Sequence, residues 1–281
     1  EALFLFATWG KTVIDICHAT IPTMSTPFTT EDLEYIVRES EKNPDIIGLF
    51  LGGSRSKGYE NPWSDWDFRM IIKDGTKSEL EKVYQHHKIL DLDRDEIDMT
   101  IWEQSEFEIY AEWKVGKQYN RYSFADVEVL IDRDGTIQKL LERKSIVPPE
   151  ELFAYTRKGF DAYLNNVYRA FKSIRKGDEI GSRIQTALSL HQLTVALFGI
   201  EGRMPPYPDY LEKELIERPL KKFTIEKNEF VVLLKDILET FSLEKQQHLL
   251  IEVEKYARAN GYGEVPDSWE YKMDWMRTYK K

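Results

Sequence analysis

The chain has a single cysteine, Cys17, among 281 residues. No intrachain disulfide can form, and the expected setting is a reducing cytoplasm. It has no run of 18 apolar residues, so no transmembrane helix and no membrane partner is expected. Basic residues are outnumbered, 39 Lys and Arg against 49 Asp and Glu. Nucleic-acid binding draws on a basic surface, so roles such as tRNA or poly(A) modification are disfavoured. The shortage is local. Residues 1–146 hold 28 acidic and 18 basic residues, whereas residues 147–281 hold 21 of each. All of the net charge of −10 therefore lies in the first half, and an acidic surface there favours a small or cationic substrate.

What is present centres on residues 46–72. Ile46 to Leu51 is a short apolar run ended by glycines, the pattern of a buried strand. Gly52, Gly53 and Ser54 follow, two glycines that let backbone N–H groups approach an anion and a hydroxyl that adds a donor. After a polar loop come Asp65, Trp66 and Asp67, then Phe68, Met70 and Ile72 in alternation. On a strand, Asp65 and Asp67 share one face, and Trp66, Phe68, Met70 and Ile72 share the other. Adjacent carboxylates repel, and a divalent cation is the usual reason to keep them together. An all-oxygen donor set suits Mg²⁺ or Mn²⁺. Residues 96–102 alternate again, with Ile97, Met99 and Ile101 on one face and Asp98, Thr100 and Trp102 on the other. Asp98 follows Asp67 by 31 positions, enough for one intervening helix.

This order of strand, Gly-Gly-Ser, Ser-Asp-x-Asp on a second strand and a third carboxylate on a later one resembles the polymerase-β-type nucleotidyltransferase superfamily. The likeness is firm over residues 44–102. It implies that Gly52, Gly53 and Ser54 hold the triphosphate tail of ATP or another nucleoside triphosphate. It also implies that Asp65, Asp67 and Asp98 bind two Mg²⁺ ions, with Mn²⁺ an alternative, and that Asp98 is a candidate general base. Many antibiotic-modifying relatives have Glu at that third position, which leaves the base assignment open. Arg55 and Arg69 are candidates for phosphate contacts or for surface ion pairs. The aminoglycoside and lincosamide nucleotidyltransferases are the nearest group by resemblance. The implied activity is transfer of a nucleoside monophosphate, AMP from ATP, to a hydroxyl of a small molecule. Two rivals stand beside it, a protein adenylyltransferase and a nucleotide-binding regulator without catalysis.

The remainder of the chain divides into three expected parts. Residues 1–23 lack a basic n-region and read as a peripheral extension ahead of Met24. Residues 24–146 form the catalytic part, a mixed α/β sheet. Its expected elements are a helix opening at Thr29, the two strands above, a helix over residues 78–89, the Asp98 strand, a helix capped by Ser105 that carries Phe107, Tyr110 and Ala111, a strand with Val127, Val129 and Ile131, and a helix over residues 136–143. Asp91 to Asp95 misses the calcium-loop pattern, because Glu96 stands where glycine is required, and reads as a solvated loop. His86 and His87 lack metal-ligand spacing and are assigned no role.

From residue 147 strand signals vanish, and an all-helical, bundle-like substrate-binding part is expected, with helices over residues 151–176, 180–198, 226–241 and 244–259 and a last helix docked by Trp269, Tyr271, Trp275 and Tyr279. A Pro- and Tyr-rich connector, residues 202–213, resembles the helical half of antibiotic nucleotidyltransferases. By that likeness Lys213 faces phosphate; a plain interhelix loop is the alternative.

Overall fold

A computed structural model describes residues 27–113 and 118–280. Cys17 and the expected extension over residues 1–23 lie outside the described residues. Helix α1 (Thr30–Lys42) begins where expected, because Thr29 and Asp32 cap each other: Asp32 N–H donates to the Thr29 hydroxyl at 3.2 Å and Thr29 N–H to the Asp32 carboxylate at 2.8 Å. Its stripe of Leu33, Ile36 and Val37 packs on the sheet.

The sheet has four strands in the order β6-β2-β1-β7: β1 (Ile46–Leu51), β2 (Trp66–Ile72), β6 (Ile97–Glu103) and β7 (Glu128–Asp132). β1 is antiparallel to both β2 and β7, and β2 is parallel to β6, so the sheet is mixed. One face buries Leu49, Leu51, Phe68, Met70, Met99 and Ile36. The other buries Phe50, Ile71 and Phe107 against helix residues Ile137, Leu140 and Leu141. Together the two faces enclose β1 and β2, which fixes their register and the side on which each aspartate emerges.

The expected helix over residues 78–89 is not formed. Helix α2 (Lys77–Leu80) is one turn, and the chain then makes a small antiparallel sheet of β3 (Tyr84–Gln85), β4 (Lys88–Ile89) and β5 (Leu92–Asp93). The reason lies in Tyr84 and Ile89, which are both buried. Five residues apart, they would fall on different sides of a helix, but a hairpin pairs them directly. His86 and His87 form its two-residue turn, His87 with φ +60°. Tyr84 also reaches the Ser40 hydroxyl at 3.2 Å. The Asp91–Asp95 stretch, expected as loop, gives two residues to β5.

Helix α3 (Gln104–Ile109) starts directly from β6, so its cap is Glu103 rather than Ser105. It ends before Tyr110 and Ala111, both expected inside it; Ala111 has φ +58° yet still buries its side chain beside Phe107. A 3₁₀ segment, Gln118–Phe124, follows the undescribed residues 114–117. It buries Arg121, which donates to the carbonyls of Ala111, Arg143 and Ile146 at 2.9, 2.6 and 2.8 Å. Helix α4 (Thr136–Lys144) completes this part.

Beyond it the described residues are helical. α5 (Pro149–Lys176) and α6 (Glu179–Ile200) run antiparallel, with Thr156 opposite Gly199 and Gly159 opposite Ala196. A Cβ on Gly199 would stand 2.3 Å from the Thr156 hydroxyl, so glycine sets the closeness of the pair. α7 (Leu211–Glu217), α8 (Lys227–Thr240), α9 (Leu243–Ala259), α10 (Glu264–Asp267) and α11 (Tyr271–Thr278) pack around them on one apolar core. Trp269, Trp275 and Tyr279 join that core, whereas Tyr271, expected to dock, is 69% exposed. The architecture is a mixed α/β sheet followed by a helical region.

Candidate active site

β1 ends at Leu51, and Gly52 N–H still pairs with the Asp67 carbonyl at 2.8 Å. Gly53 then turns with φ +67° directly against the Asp67 side chain. A Cβ there would lie 1.8 Å from Asp67 Oδ2, so this turn admits glycine alone without displacing the carboxylate. Ser54 is buried and leads into a single 3₁₀ turn, Arg55–Lys57.

The loop back to β2 is fastened at its end. Asn61 N–H donates to the Ser64 hydroxyl at 2.9 Å, and Trp63 N–H to the Asn61 side chain at 2.8 Å. Arg55 donates to the carbonyls of Asp65 and Ser64 at 2.9 and 2.6 Å and stacks 4.4 Å over the Trp66 ring. Arg55, a candidate phosphate contact by sequence, thus positions the backbone that carries Asp65.

Asp65, Asp67 and Asp98 come together. Asp67 and Asp98 are register partners across the parallel β2–β6 pair, and one oxygen from each of the three carboxylates lies within 4.8 Å of the others. Adjacent strands stand roughly 4.8 Å apart, so the register produces this cluster directly. Burial pushes the Asp67 carboxyl up to about 6; the Arg69 guanidinium opposes that shift, and repulsion from Asp65 and Asp98 adds to it. Arg69, on the same strand face, reaches Asp67 at 2.8 Å and Asp98 at 3.3 Å and is the local counter-charge. Three hard oxygen donors at this spacing fit a divalent cation of the Mg²⁺ or Mn²⁺ kind, whose charge would replace that of Arg69 at the carboxylates.

His86, assigned no role from the sequence, sits at the hairpin turn with Nδ1 2.9 Å from Asp98 Oδ1. Nothing in helical periodicity signals this contact, because it depends on the hairpin that replaces the expected helix.

A cleft of about 420 Å³ opens beside the carboxylates. It is lined by Gly53, Lys57, Asp67 and Arg69 together with the aromatic residues Trp102, Tyr110, Tyr122, Tyr207 and Tyr210. Thr100 and Trp102 are there because they alternate with Asp98 along β6. Tyr207 and Tyr210 come from the Pro/Tyr connector, whose rings meet Tyr122 of the 3₁₀ segment. Lys213 stands outside this lining; its Nζ donates to the Tyr59 carbonyl at 2.6 Å and ties α7 to the loop after Ser54. Behind the cleft, buried Glu214 accepts from the Tyr122 hydroxyl at 2.7 Å and from Arg203 at 2.6 Å and is also bonded by Arg218.

No protein family matches the chain, and no curated protein does. Among solved structures, a nucleotidyltransferase-like protein from Exiguobacterium sibiricum 255-15 matches over 80% of this chain and 77% of its own, at 13% identity and a TM-score of 0.38. A likeness this slight decides nothing about the chemistry of the cleft.

Proposed function

We propose that the chain is a nucleotidyltransferase that moves a nucleoside monophosphate, AMP from ATP, onto a hydroxyl of a small molecule. The observation that carries this reading is the cluster of Asp65, Asp67 and Asp98, the last two in register on neighbouring strands and Asp67 packed against the Gly52–Gly53–Ser54 turn. Phosphoryl chemistry needs positioning and charge neutralisation more than any covalent help from the protein. Asp65 and Asp67 would hold two divalent ions, with Asp98 sharing one of them. Such ions stabilise the attacking and leaving oxygens of an in-line displacement. The Gly53 and Ser54 N–H groups and the Ser54 hydroxyl would meet the phosphates, Gly52 N–H being engaged by the Asp67 carbonyl.

In the step itself the acceptor oxygen bonds to the α-phosphorus, the bond from that phosphorus to pyrophosphate breaks, and Asp98 takes the hydroxyl proton. His86 holds Asp98 Oδ1 and so orients this base. Residues 24–146 would be the catalytic part and residues 147–281 the part that holds the acceptor, with Tyr207 and Tyr210 as its reach into the cleft.

The finer reading is an aminoglycoside-type acceptor. The acidic excess of the first half favours a cationic molecule, and the tyrosines that line the cleft suit one that bears rings. The test is pyrophosphate release with MgATP across a panel of aminoglycosides and lincosamides. Release with one acceptor, abolished by Asp67→Asn, supports the reading; nucleotide binding with silence across the panel removes the antibiotic and directs the search to a protein acceptor.

A further inference from the structure

We propose that Arg69 competes with the metal for the carboxylates: its guanidinium takes oxygens that a divalent ion would need, so metal binding is an exchange of one cation for another. The assignment rests on the metal-dependent reading above and concerns how tightly, and how selectively, that site takes its ion. Arg69 follows Asp67 by two positions on β2 and so shares its face, with Thr100 of β6 as its register partner. One nitrogen, Nη2, serves both carboxylates, 2.8 Å from Asp67 Oδ1 and 3.3 Å from Asp98 Oδ2. A position bridging carboxylates of two neighbouring strands is also the one that attracts a divalent ion most strongly. The remaining oxygens of the pair are engaged as well. Asp98 Oδ1 meets His86 Nδ1 at 2.9 Å, and Asp67 Oδ2 faces the Gly53 turn, where a Cβ would stand 1.8 Å from it.

The guanidinium is tied down independently of the carboxylates. Nη1 donates to the carbonyls of Phe68 and Asp98 at 3.0 and 3.4 Å. These bonds keep the charge beside the cluster even when the carboxylates are taken from it. A competitor tethered in this way acts at an effective concentration of roughly millimolar.

Charge decides which ion can win the exchange. Three carboxylates with oxygens within 4.8 Å of one another repel, and the single charge of Arg69 relieves part of that repulsion. The side chains of Arg69 and Asp67 are 21% and 16% exposed, so salt screens this pair weakly. A monovalent ion brings no more charge than it displaces and gains nothing by entering. A divalent ion brings one charge more, so the exchange runs forward for Mg²⁺ or Mn²⁺ and the site rejects Na⁺ and K⁺. The affinity for the divalent ion is then lower than the same carboxylates would show without the arginine. An ion pair that served the fold alone would have the opposite signature: its loss would let the carboxylates drift apart and leave metal affinity unchanged or weaker.

The experiment is titration of the metal-stripped full chain with Mn²⁺ alone at pH 7.5 and fixed ionic strength, read by electron paramagnetic resonance of the free ion, for the wild type, Arg69→Gln and Arg69→Lys. The expected result is at least tenfold tighter Mn²⁺ binding in Arg69→Gln, and an affinity within threefold of the wild type in Arg69→Lys, which keeps the charge. In EDTA the melting temperature of Arg69→Gln should fall below that of the wild type, and Mn²⁺ should raise it by more than it raises the wild type's. A second readout needs only the wild-type fold: the side-chain Nε–H resonance of Arg69, identified by its loss in Arg69→Lys, should move as Mg²⁺ is added. Equal or weaker Mn²⁺ binding in Arg69→Gln, with the wild type binding the ion, overturns the competition and leaves the metal site standing, as does an Arg69 resonance that stays in place at saturating Mg²⁺. Mn²⁺ taken up by neither the wild type nor Arg69→Gln overturns the metal-dependent reading, and the assignment of Arg69 with it.

Discussion

Replacing Asp67 by Asn should stabilise the metal-free protein while disabling it. Asp67 sits among two other carboxylates with its side chain 16% exposed, and burial holds its carboxyl at about 6 rather than 3.8. A group whose folded value is raised contributes stability that is present below its ordinary value and is lost as pH rises through the folded one. For Asp67 that window runs from about 4 to about 6. At about 1.4 kcal/mol per pH unit the ionised carboxylate costs the fold up to about 3 kcal/mol at neutral pH. Asn removes that cost but also removes the nearer of the two anions holding Arg69, a loss of about 1 kcal/mol or slightly more. The net gain is about 1–2 kcal/mol, which raises the melting temperature of a chain this size by about 2–8 °C. The assay is scanning calorimetry in EDTA. The gap between variant and wild type should open between pH 4 and 6 and stay constant above. With excess Mg²⁺ or Mn²⁺ at pH 7.5 the order should reverse, because the wild type gains from binding and the variant does not. An Asp67→Asn protein that melts below the wild type in EDTA at pH 7.5 would refute the reasoning, since it would mean that the carboxylate is stabilised where it stands.

Further outcomes concern the turn, the buried polar groups and the hairpin. Gly53→Ala places a methyl 1.8 Å from the Asp67 carboxylate at φ +67°; it should lose about 1 kcal/mol of stability but at least about 100-fold in Mn²⁺ affinity or turnover, read by calorimetry and by pyrophosphate release. Arg121→Ala strands the carbonyls of Ala111, Arg143 and Ile146 and should cost about 3–5 kcal/mol in urea denaturation. Tyr122→Phe takes one donor from buried Glu214, which keeps Arg203 and Arg218, and should cost about 1.5–3 kcal/mol by the same measurement. His86→Ala should leave the melting temperature within about 2 °C, because the ring is 64% exposed, yet lower turnover several-fold by freeing the Asp98 carboxylate.

The aspartates were legible from period-two alternation, and the turn from the glycines that end the apolar run of β1. Phe68, Met70, Met99 and Ile101 bury one face of β2 and β6, so the opposite positions, Asp67 and Asp98, are fixed by the pleat. The four long helices after residue 147 were legible for the analogous reason, apolar residues at helical spacing, and each begins and ends within two residues of the expected bounds. What could not be read was set by contacts distant in sequence. His86 meets Asp98 only because Tyr84 and Ile89 pair in a hairpin under α1. Arg121 looks like any surface arginine until three carbonyls from separate segments close on it. Tyr207, Tyr210 and Lys57 reach one cleft from opposite ends of the chain, and no local pattern encodes that meeting. Arg55 illustrates the converse case. Its place after the turn suggested a phosphate contact or a surface ion pair, whereas the geometry gives it the carbonyls of Ser64 and Asp65.

Attack at the α-phosphorus within the carboxylate cluster is best tested by following the two ends of ATP separately. With one portion of ATP labelled at the α-phosphate and another at the γ-phosphate, the acceptor should gain the α-label while the γ-label leaves as pyrophosphate, and Asp67→Asn should abolish both. Transfer of the γ-label to an acceptor, or the same α-label transfer by Asp67→Asn as by the wild type, would contradict it.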